Sequence, residues 1–233
     1  MITFIIPCYN EEDNIKNCIS SIKNEAKYIP HEIIVIDNDC TDNTASIAEK
    51  EGVRVIKETR KGVVFARQTG YENASYDFIA NIDADSRLYE GWIWVAMKNI
   101  SKENVVAVTG PLIYDDGSFF LKIITKIYYW FAMKSLKYVG VFLQGGNCMI
   151  KKSVLDKVQG YDLSIAFYGE DTMTAKRIKP YGKIVFDKDL ITYSSSRRIK
   201  QQGLIKTTWL YMSNYFSVTY KNISTTKDYK DYR

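Results

Sequence analysis

Apolar runs alternate with helix-period segments along the first third of the chain. Ile2 to Pro7 is a short apolar strand, and His31 to Asp37 is apolar almost to its last residue. Gly52 to Lys57 and Tyr76 to Ile82 continue the series. Between them, Ile15, Cys18, Ile19, Ile22 and Ala26 recur at helical spacing. Ala45, Ile47 and Ala48 mark a second helix, and Ala66, Arg67, Gly70 and Ala74 a third. Continuous apolar strands separated by helices predict a parallel sheet covered on both faces. The spacing makes Asn10 the cap of the first helix, with Glu11, Glu12 and Asp13 in its first turn, where acids complement the macrodipole. Thr41 or Asp42 is the expected cap of the second.

The rest of the chain is less regular. Trp92 to Ile100 reads as a helix and Val105 to Thr109 as a strand. Phe119 to Val139 reads as an aromatic-rich helix whose Lys122, Lys126, Lys134 and Lys137 share roughly a third of its circumference. Two readings of it stand: a helix packed on the sheet with snorkelling lysines, or a surface touching membrane lipid or a lipid-linked substrate. Gln144 to Asn147 is a glycine-rich loop entering a strand, Cys148 to Ile150, and Ser153 is the expected cap of a short helix through Val154, Leu155 and Val158. Glu170 and Asp171 open a helix through Met173, Ala175 and Ile178, and Lys183 to Asp187 is a further strand. Leu204 to Tyr220 is a second aromatic helix, followed by a polar tail from Ser224 that is expected to fray.

Composition narrows the setting. The chain has 233 residues, 46% of them hydrophobic and 25% charged, an ordinary globular balance. Four cysteines without metal-type pairing predict reduced thiols in a reducing, hence cytoplasmic, compartment. The first residues carry no basic leader and read as a strand. No uncharged apolar run approaches a membrane span, which leaves peripheral contact with the cytoplasmic membrane face as the way to reach lipid. The net charge of +5 without a dense basic stripe suits anionic substrates and argues against nucleic acid.

The chemistry gathers at strand ends. Ligands of open α/β sheets bind beyond the carboxyl ends of the strands, and Pro7, Tyr9, Asp37, Asp83 and Asp85 all fall there. A turn starting at Ala84 would let both aspartates of Asn81-Ile82-Asp83-Ala84-Asp85-Ser86 reach one point past the strand tip. Paired hard oxygens of this kind suit Mg²⁺ or Mn²⁺ when substrate phosphates supply the other ligands, although Asp-Ala-Asp-Ser is also ordinary turn chemistry. Neither G-x-G-x-x-G nor G-x-x-x-x-G-K-[ST] follows the first strand, so a dinucleotide fold and a P-loop lack support.

Six motifs in order carry a family resemblance: Ile-Ile-Pro-Cys-Tyr-Asn-Glu-Glu at 5–12, Val-Ile-Asp-Asn-Asp-Cys-Thr-Asp-Asn-Thr at 35–44, Lys-Gly…Ala-Arg…Gly at 61–70, Asp-Ala-Asp at 83–85, Gly-Gly-Asn at 145–147, and Gly-Tyr-Asp…Gly-Glu-Asp at 160–171. From Ile2 to about Gly203 the chain resembles the family 2 glycosyltransferases, which have the GT-A fold and use nucleotide-diphosphate sugars. The resemblance implies a Rossmann-like three-layer α/β/α domain with a mostly parallel central sheet. It implies one domain over 1–233, with a nucleotide-sugar half at 1–115, an acceptor half at 116–220 and the polar tail at 221–233.

The resemblance also implies roles. Pro7, Tyr9, Glu11, Asp37, Lys61, Arg67 and Asp83 become nucleotide-sugar contacts, with Arg197 and Arg198 a mobile basic segment closing over the diphosphate. Asp85 and Asp83 become ligands of Mn²⁺ or Mg²⁺, and Gly146 and Asn147 acceptor or sugar contacts. Asp171 becomes the general base, with Glu170 orienting the acceptor or serving as a second base. The implied reaction is inverting transfer of one sugar, with UDP the expected carrier, to a saccharide or lipid-linked acceptor in cell-envelope polysaccharide biosynthesis. The chain lacks the Gln-x-x-Arg-Trp motif of processive synthases. A polyprenyl-phosphate acceptor, a nucleotidyltransferase of similar sheet architecture and a non-catalytic binding module are the alternatives.

Overall fold

The computed structural model describes residues 1–165 and 167–226. Its strands are β1 (Ile2–Cys8), β2 (His31–Asp37), β3 (Arg54–Lys57), β4 (Phe78–Ile82), β5 (Ser86–Leu88), β6 (Val105–Thr109), β7 (Leu112–Ile113), β8 (Asn147–Lys151), β9 (Lys183–Phe186) and β10 (Thr192–Ser194). Its helices are α1 (Ile15–Glu25), α2 (Thr44–Lys50), α3 (Val63–Glu72), α4 (Trp92–Ile100), α5 (Phe119–Tyr138), α6 (Lys152–Lys157), α7 (Glu170–Ile178), α8 (Arg197–Gln202) and α9 (Leu204–Lys221).

Seven strands form one sheet in the order β3-β2-β1-β4-β8-β6-β9. Its neighbours pair in parallel except where β8 pairs antiparallel with β4 and β6. Alternation along β1 explains the layering. Phe4 and Ile6 join a core with Ile15, Cys18, Ile19 and Ile22 of α1 and Trp92 and Ala96 of α4. Ile5 points the other way, into a core with Val64 and Ala66 of α3, Leu155 of α6 and Ile178 of α7. Both faces are therefore covered, as the unbroken apolar strands predict. Gly70 packs where a Cβ would stand 2.4 Å from the Ile5 side chain, so α3 lies closer to β1 than an alanine there would allow.

A second, three-stranded sheet in the order β5-β10-β7 escaped the sequence pattern. Two- and three-residue strands are too short to display a period. The first helix also starts later than its acidic residues suggest. Asn10 has a φ of 52°, a left-handed conformation that asparagine tolerates. Its Oδ1 accepts the Thr41 backbone N–H at 2.8 Å, stitching two loops together instead of capping α1. Glu11 supplies the carbonyl that receives the Asn14 and Ile15 amides. Asn43, not Thr41 or Asp42, takes the cap position of α2, and Asp42, one residue earlier, accepts the Thr44 N–H at 3.0 Å. The tail is anchored as far as it is described: Asn214 Oδ1 accepts from Ser224 Oγ and the Thr225 amide. Residues 227–233 of that tail lie outside the described residues.

Candidate active site

The chain leaves β1 for β2 and β3 on one side and returns at β4 on the other, so the carboxyl ends of β1 and β4 face a switch point. A cavity of about 660 Å³ opens there. Pro7 enters it from the end of β1, Tyr9 and Glu11 from the loop after it, and Lys61 and Arg67 from the loop before α3 and from α3 itself. Asp83 and Asp85 come from the turn after β4, Gly146 from the loop before β8, Glu170 and Asp171 from the first turn of α7, and Arg197 and Arg198 from the start of α8. Separate chain segments thus meet at one crevice.

The aspartate pair sits on a turn in which Ser86 N–H donates to the Asp83 carbonyl at 3.0 Å. The antiparallel register Ile82↔Asn147 brings Gly146 against Asp83. A Cβ at Gly146 would stand 1.9 Å from Asp83 Oδ2, so glycine is what lets that carboxylate occupy its place. Burial pushes Asp85 up to about 7, with the Asp83 and Glu11 carboxylates adding to the rise and Arg198 and Arg197 opposing it. Two hard-oxygen donors with surplus negative charge fit a divalent cation. Among the described residues no group of three or more His, Cys, Asp or Glu could hold a metal. The Asp83 and Asp85 carboxylates are thus a pair, short of a metal cage built by the protein alone.

Arg67 ties this turn to α7. It is 4% exposed, and its Nη2 and Nη1 donate to Asp83 Oδ1 at 3.2 Å and Glu170 Oε1 at 2.7 Å. Burial alone would favour loss of its proton; the Glu170 and Asp83 charges outweigh that and hold the guanidinium charged. A Cβ at Gly145 would come 2.7 Å from Arg67 Nη1. Each glycine of the pair thus makes room for one member of the ionic cluster.

Asp171 stands beside this cluster in different chemistry. Burial is the first cause that raises it to about 7, and the Glu170 charge adds to it. Arg67 and the Thr172 and Gly145 amides pull the other way. The Thr172 N–H donates to Asp171 Oδ1 at 2.7 Å. Of two adjacent carboxylates, one is neutralised by an arginine and the other is poised to titrate near neutral pH.

The first-strand residues are also engaged. Glu11 is 4% exposed; Arg197 Nη2 donates to its Oε1 at 2.7 Å and Asn14 Nδ2 to its Oε2 at 2.8 Å. Arg197 and Arg198 begin a short helix, α8, and the Arg197–Glu11 pair links it to the loop after β1. Lys61 reaches over the Tyr9 ring and pairs with Asp39 at 3.7 Å.

Two expected site residues take other positions. Asp37 ends β2 as expected, yet it does not line the cavity, and its Oδ1 accepts the Cys40 N–H at 2.8 Å. Asn147 is fully buried behind Gly146. Its Oδ1 accepts Trp92 Nε1 at 2.8 Å, and its Nδ2 donates to the Pro111 and Leu190 carbonyls. It braces β8 against α4 and cannot meet an acceptor, which corrects the sequence expectation. One step along a strand reverses the side-chain face, so a contact at Gly146 does not extend to Asn147.

Other residues line the site although the sequence reading assigned them no role. Asn38 lines the cavity, accepts the Gly62 N–H at 3.0 Å and donates to the Glu58 and Arg60 carbonyls, which shapes the loop that carries Lys61. Tyr114, Tyr128, Tyr129, Tyr168 and Tyr211 line the side formed by α5, α9 and their neighbouring loops. Aromatics in amphipathic helices read as core, and only the chain path turns them toward a cavity.

The sequence from residue 3 to 159 matches the family described as glycosyl transferase family 2. The chain belongs to that family. A poly-β-1,6-N-acetyl-D-glucosamine synthase of Staphylococcus aureus is 33% identical over 134 residues, which cover 54% of this chain and 32% of that protein. A glycosyltransferase, AglE, of Haloferax volcanii is 30% identical over 119 residues, covering 47% of this chain and 38% of the other. This chain thus spans about a third of the length of those relatives. The fold is GT-A. A mannosyltransferase of Pyrobaculum calidifontis, solved with GDP-Man and Mn²⁺, superposes with a TM-score of 0.74 at 19% identity, over 95% of this chain and 63% of its own. Glucosyl-3-phosphoglycerate synthase of Mycobacterium tuberculosis, solved with Mn²⁺, UDP-glucose and phosphoglyceric acid, gives 0.67 at 19% identity, over 94% and 79%. Family membership sets the nucleotidyltransferase reading aside.

Proposed function

We propose that this family 2 glycosyltransferase moves one sugar, with inversion, from a nucleotide-diphosphate sugar to a hydroxyl of a saccharide or lipid-linked acceptor. The observation that carries the reading is the division of labour among its carboxylates. Asp171 is pushed up to about 7 beside an arginine-neutralised Glu170, while Asp83 and Asp85 share one turn on the same cavity. A general base works best with a pKa near the working pH. Asp171 accepts the proton of the attacking hydroxyl. Glu170 is held by Arg67 and positions α7, so it is not the second base.

Asp83 and Asp85 would hold Mn²⁺ or Mg²⁺, and such an ion, when bound, offsets the charge that builds on the departing diphosphate. Arg197, Arg198 and Lys61 face the same cavity and add positive charge along the leaving group. Pro7, Tyr9 and Glu11 border the nucleoside end. Asp37 is assigned there through the loop its carboxylate holds, with its side chain behind the cavity wall. UDP is the proposed carrier, in keeping with the UDP-glucose bound by the Mycobacterium tuberculosis neighbour; GDP is the rival, bound as GDP-Man by the Pyrobaculum calidifontis neighbour. The tyrosine-rich wall favours an acceptor with apolar or ring surface, a sugar face or a polyprenyl chain.

The test is a melting-temperature panel of UDP, GDP, dTDP and their sugars with Mn²⁺ or with EDTA. A nucleotide at 100 times its dissociation constant adds ~2.7 kcal/mol. A shift for one nucleotide that EDTA abolishes supports the reading. No shift for any nucleotide, in a protein that melts cooperatively, rejects it.

A further inference from the structure

The two aromatic helices leave a surface that the fold does not cover. On α5 the exposed side chains fall within roughly 160° of the circumference at 100° per residue. Phe120 is 72% exposed, Ile127 60% and Trp130 58%. On α9, Ile205, Trp209, Phe216 and Tyr220 lie within roughly 60° by the same geometry; Trp209 is 75% exposed. The two stripes join, because the Phe131 ring of α5 packs on Tyr215 and Phe216 of α9 at 5.6 and 5.8 Å. Isolated exposed apolar residues need no explanation; a contiguous band across two helices does.

Charge says what covers it. α5 and α9 together carry six lysines and no aspartate or glutamate. Lys134 lies over the Trp130 ring, and Lys137 over Tyr138. Aromatic side chains interleaved with long cations match the headgroup zone of a bilayer, where rings sit at the interface and lysines reach the phosphates. A second copy of the chain would meet this face with its own lysines in a two-fold interface. No helix among the described residues is long and apolar enough to cross a membrane, so contact is in the plane of the surface.

We infer that the exposed face of α5 and α9 docks on an anionic lipid bilayer. The inner faces of the same helices, through Leu121, Ile124 and Tyr128 on α5 and Leu204, Thr208 and Tyr211 on α9, line the cavity. Docking therefore holds the acceptor side of the cavity about 10 Å, one helix diameter, from the lipid surface. The consequence for the acceptor, that it is lipid-borne, rests on the proposed function; the docking does not.

Vesicles of phosphatidylcholine, with and without phosphatidylglycerol, test it by co-sedimentation of the full chain with no nucleotide sugar present. The wild type is expected to sediment with anionic vesicles at low salt and to be released by high salt. K126E/K134E and, separately, W130S/W209S are each expected to lower partitioning roughly tenfold or more, with melting temperatures near that of the wild type. Brominated lipid is expected to quench the tryptophan emission of a W94F protein and not that of W94F/W130F/W209F. No sedimentation with anionic vesicles at low salt overturns the inference. So does equal binding by the folded variants, and so does a dimer in solution that W130S/W209S converts to monomer. None of these results bears on nucleotide-sugar binding, which the melting panel reads independently.

Discussion

Two carboxylates raised to about 7 make stability depend on pH in a defined direction. In the unfolded chain Asp85 and Asp171 lose their protons near the ordinary aspartate value; in the folded chain they keep them until about pH 7. Between those limits the folded state binds more protons, so stability falls as pH rises, and it levels off above about 7. Each tenfold change in proton affinity is worth ~1.4 kcal/mol, which gives roughly 4 kcal/mol for a single group if nothing screens it. Two such contributions would offset much of the roughly 5–15 kcal/mol typical of a domain. Both side chains face the cavity, and water there screens them; the expected loss is about 2 kcal/mol each, or roughly 4 kcal/mol in all from pH 4.5 to 8. The assay is urea unfolding in EDTA, followed by tryptophan fluorescence, at half-unit pH steps. D85N and D171N are each expected to remove about half of the slope, and the double variant nearly all of it. Stability that stays flat or rises over this window, or single variants with the wild-type slope, would refute the electrostatic account of the site.

Three further outcomes are expected. D171N should bind the nucleotide sugar as the wild type does and lose turnover by ~10²–10⁴-fold, read by product formation under saturating donor. G146A should displace Asp83, because its Cβ would fall 1.9 Å from Oδ2, and should weaken Mn²⁺-dependent nucleotide binding in calorimetry while metal-free binding changes little. R67M should cost about 2–3 kcal/mol in urea unfolding, since it leaves the largely buried Glu170 without its cation while solvent screens the half-exposed Asp83; the double variant R67M/E170Q should recover part of that loss.

The sheet was legible because a strand buried on both faces cannot hide its composition. β2 runs from His31 to Asp37 in both sequence pattern and structure, and α4 and β6 agree to the residue. The motif residues were legible too, because strand ends and helix starts are where such a sheet exposes side chains. What escaped was set by pairing across the chain. Asn147 and Gly146 are neighbours in one motif, yet β4–β8 pairing sends one into the core and the other to the cavity. Asn10 carries a strong capping signal, and a contact 31 residues away overrides it. No local pattern announces that Arg67 lies between Asp83 and Glu170, which are separated from it by 16 and 103 residues.

Arg67 also governs how the site is assembled. It comes from α3, and Glu170 from α7, about a hundred residues further along the chain. The charge that neutralises Glu170 is therefore also the contact that sets α7 against the Asp83 turn. A lysine in place of Arg67 would keep the charge and lose the two-armed geometry. It could satisfy Asp83 or Glu170 at full hydrogen-bonding distance, but not both along fixed directions. The helix that carries Asp171 and the turn that carries Asp83 are thus held in register by one planar side chain. Gly145 and Gly146 are small because that side chain and Asp83 already fill the space a methyl group would need.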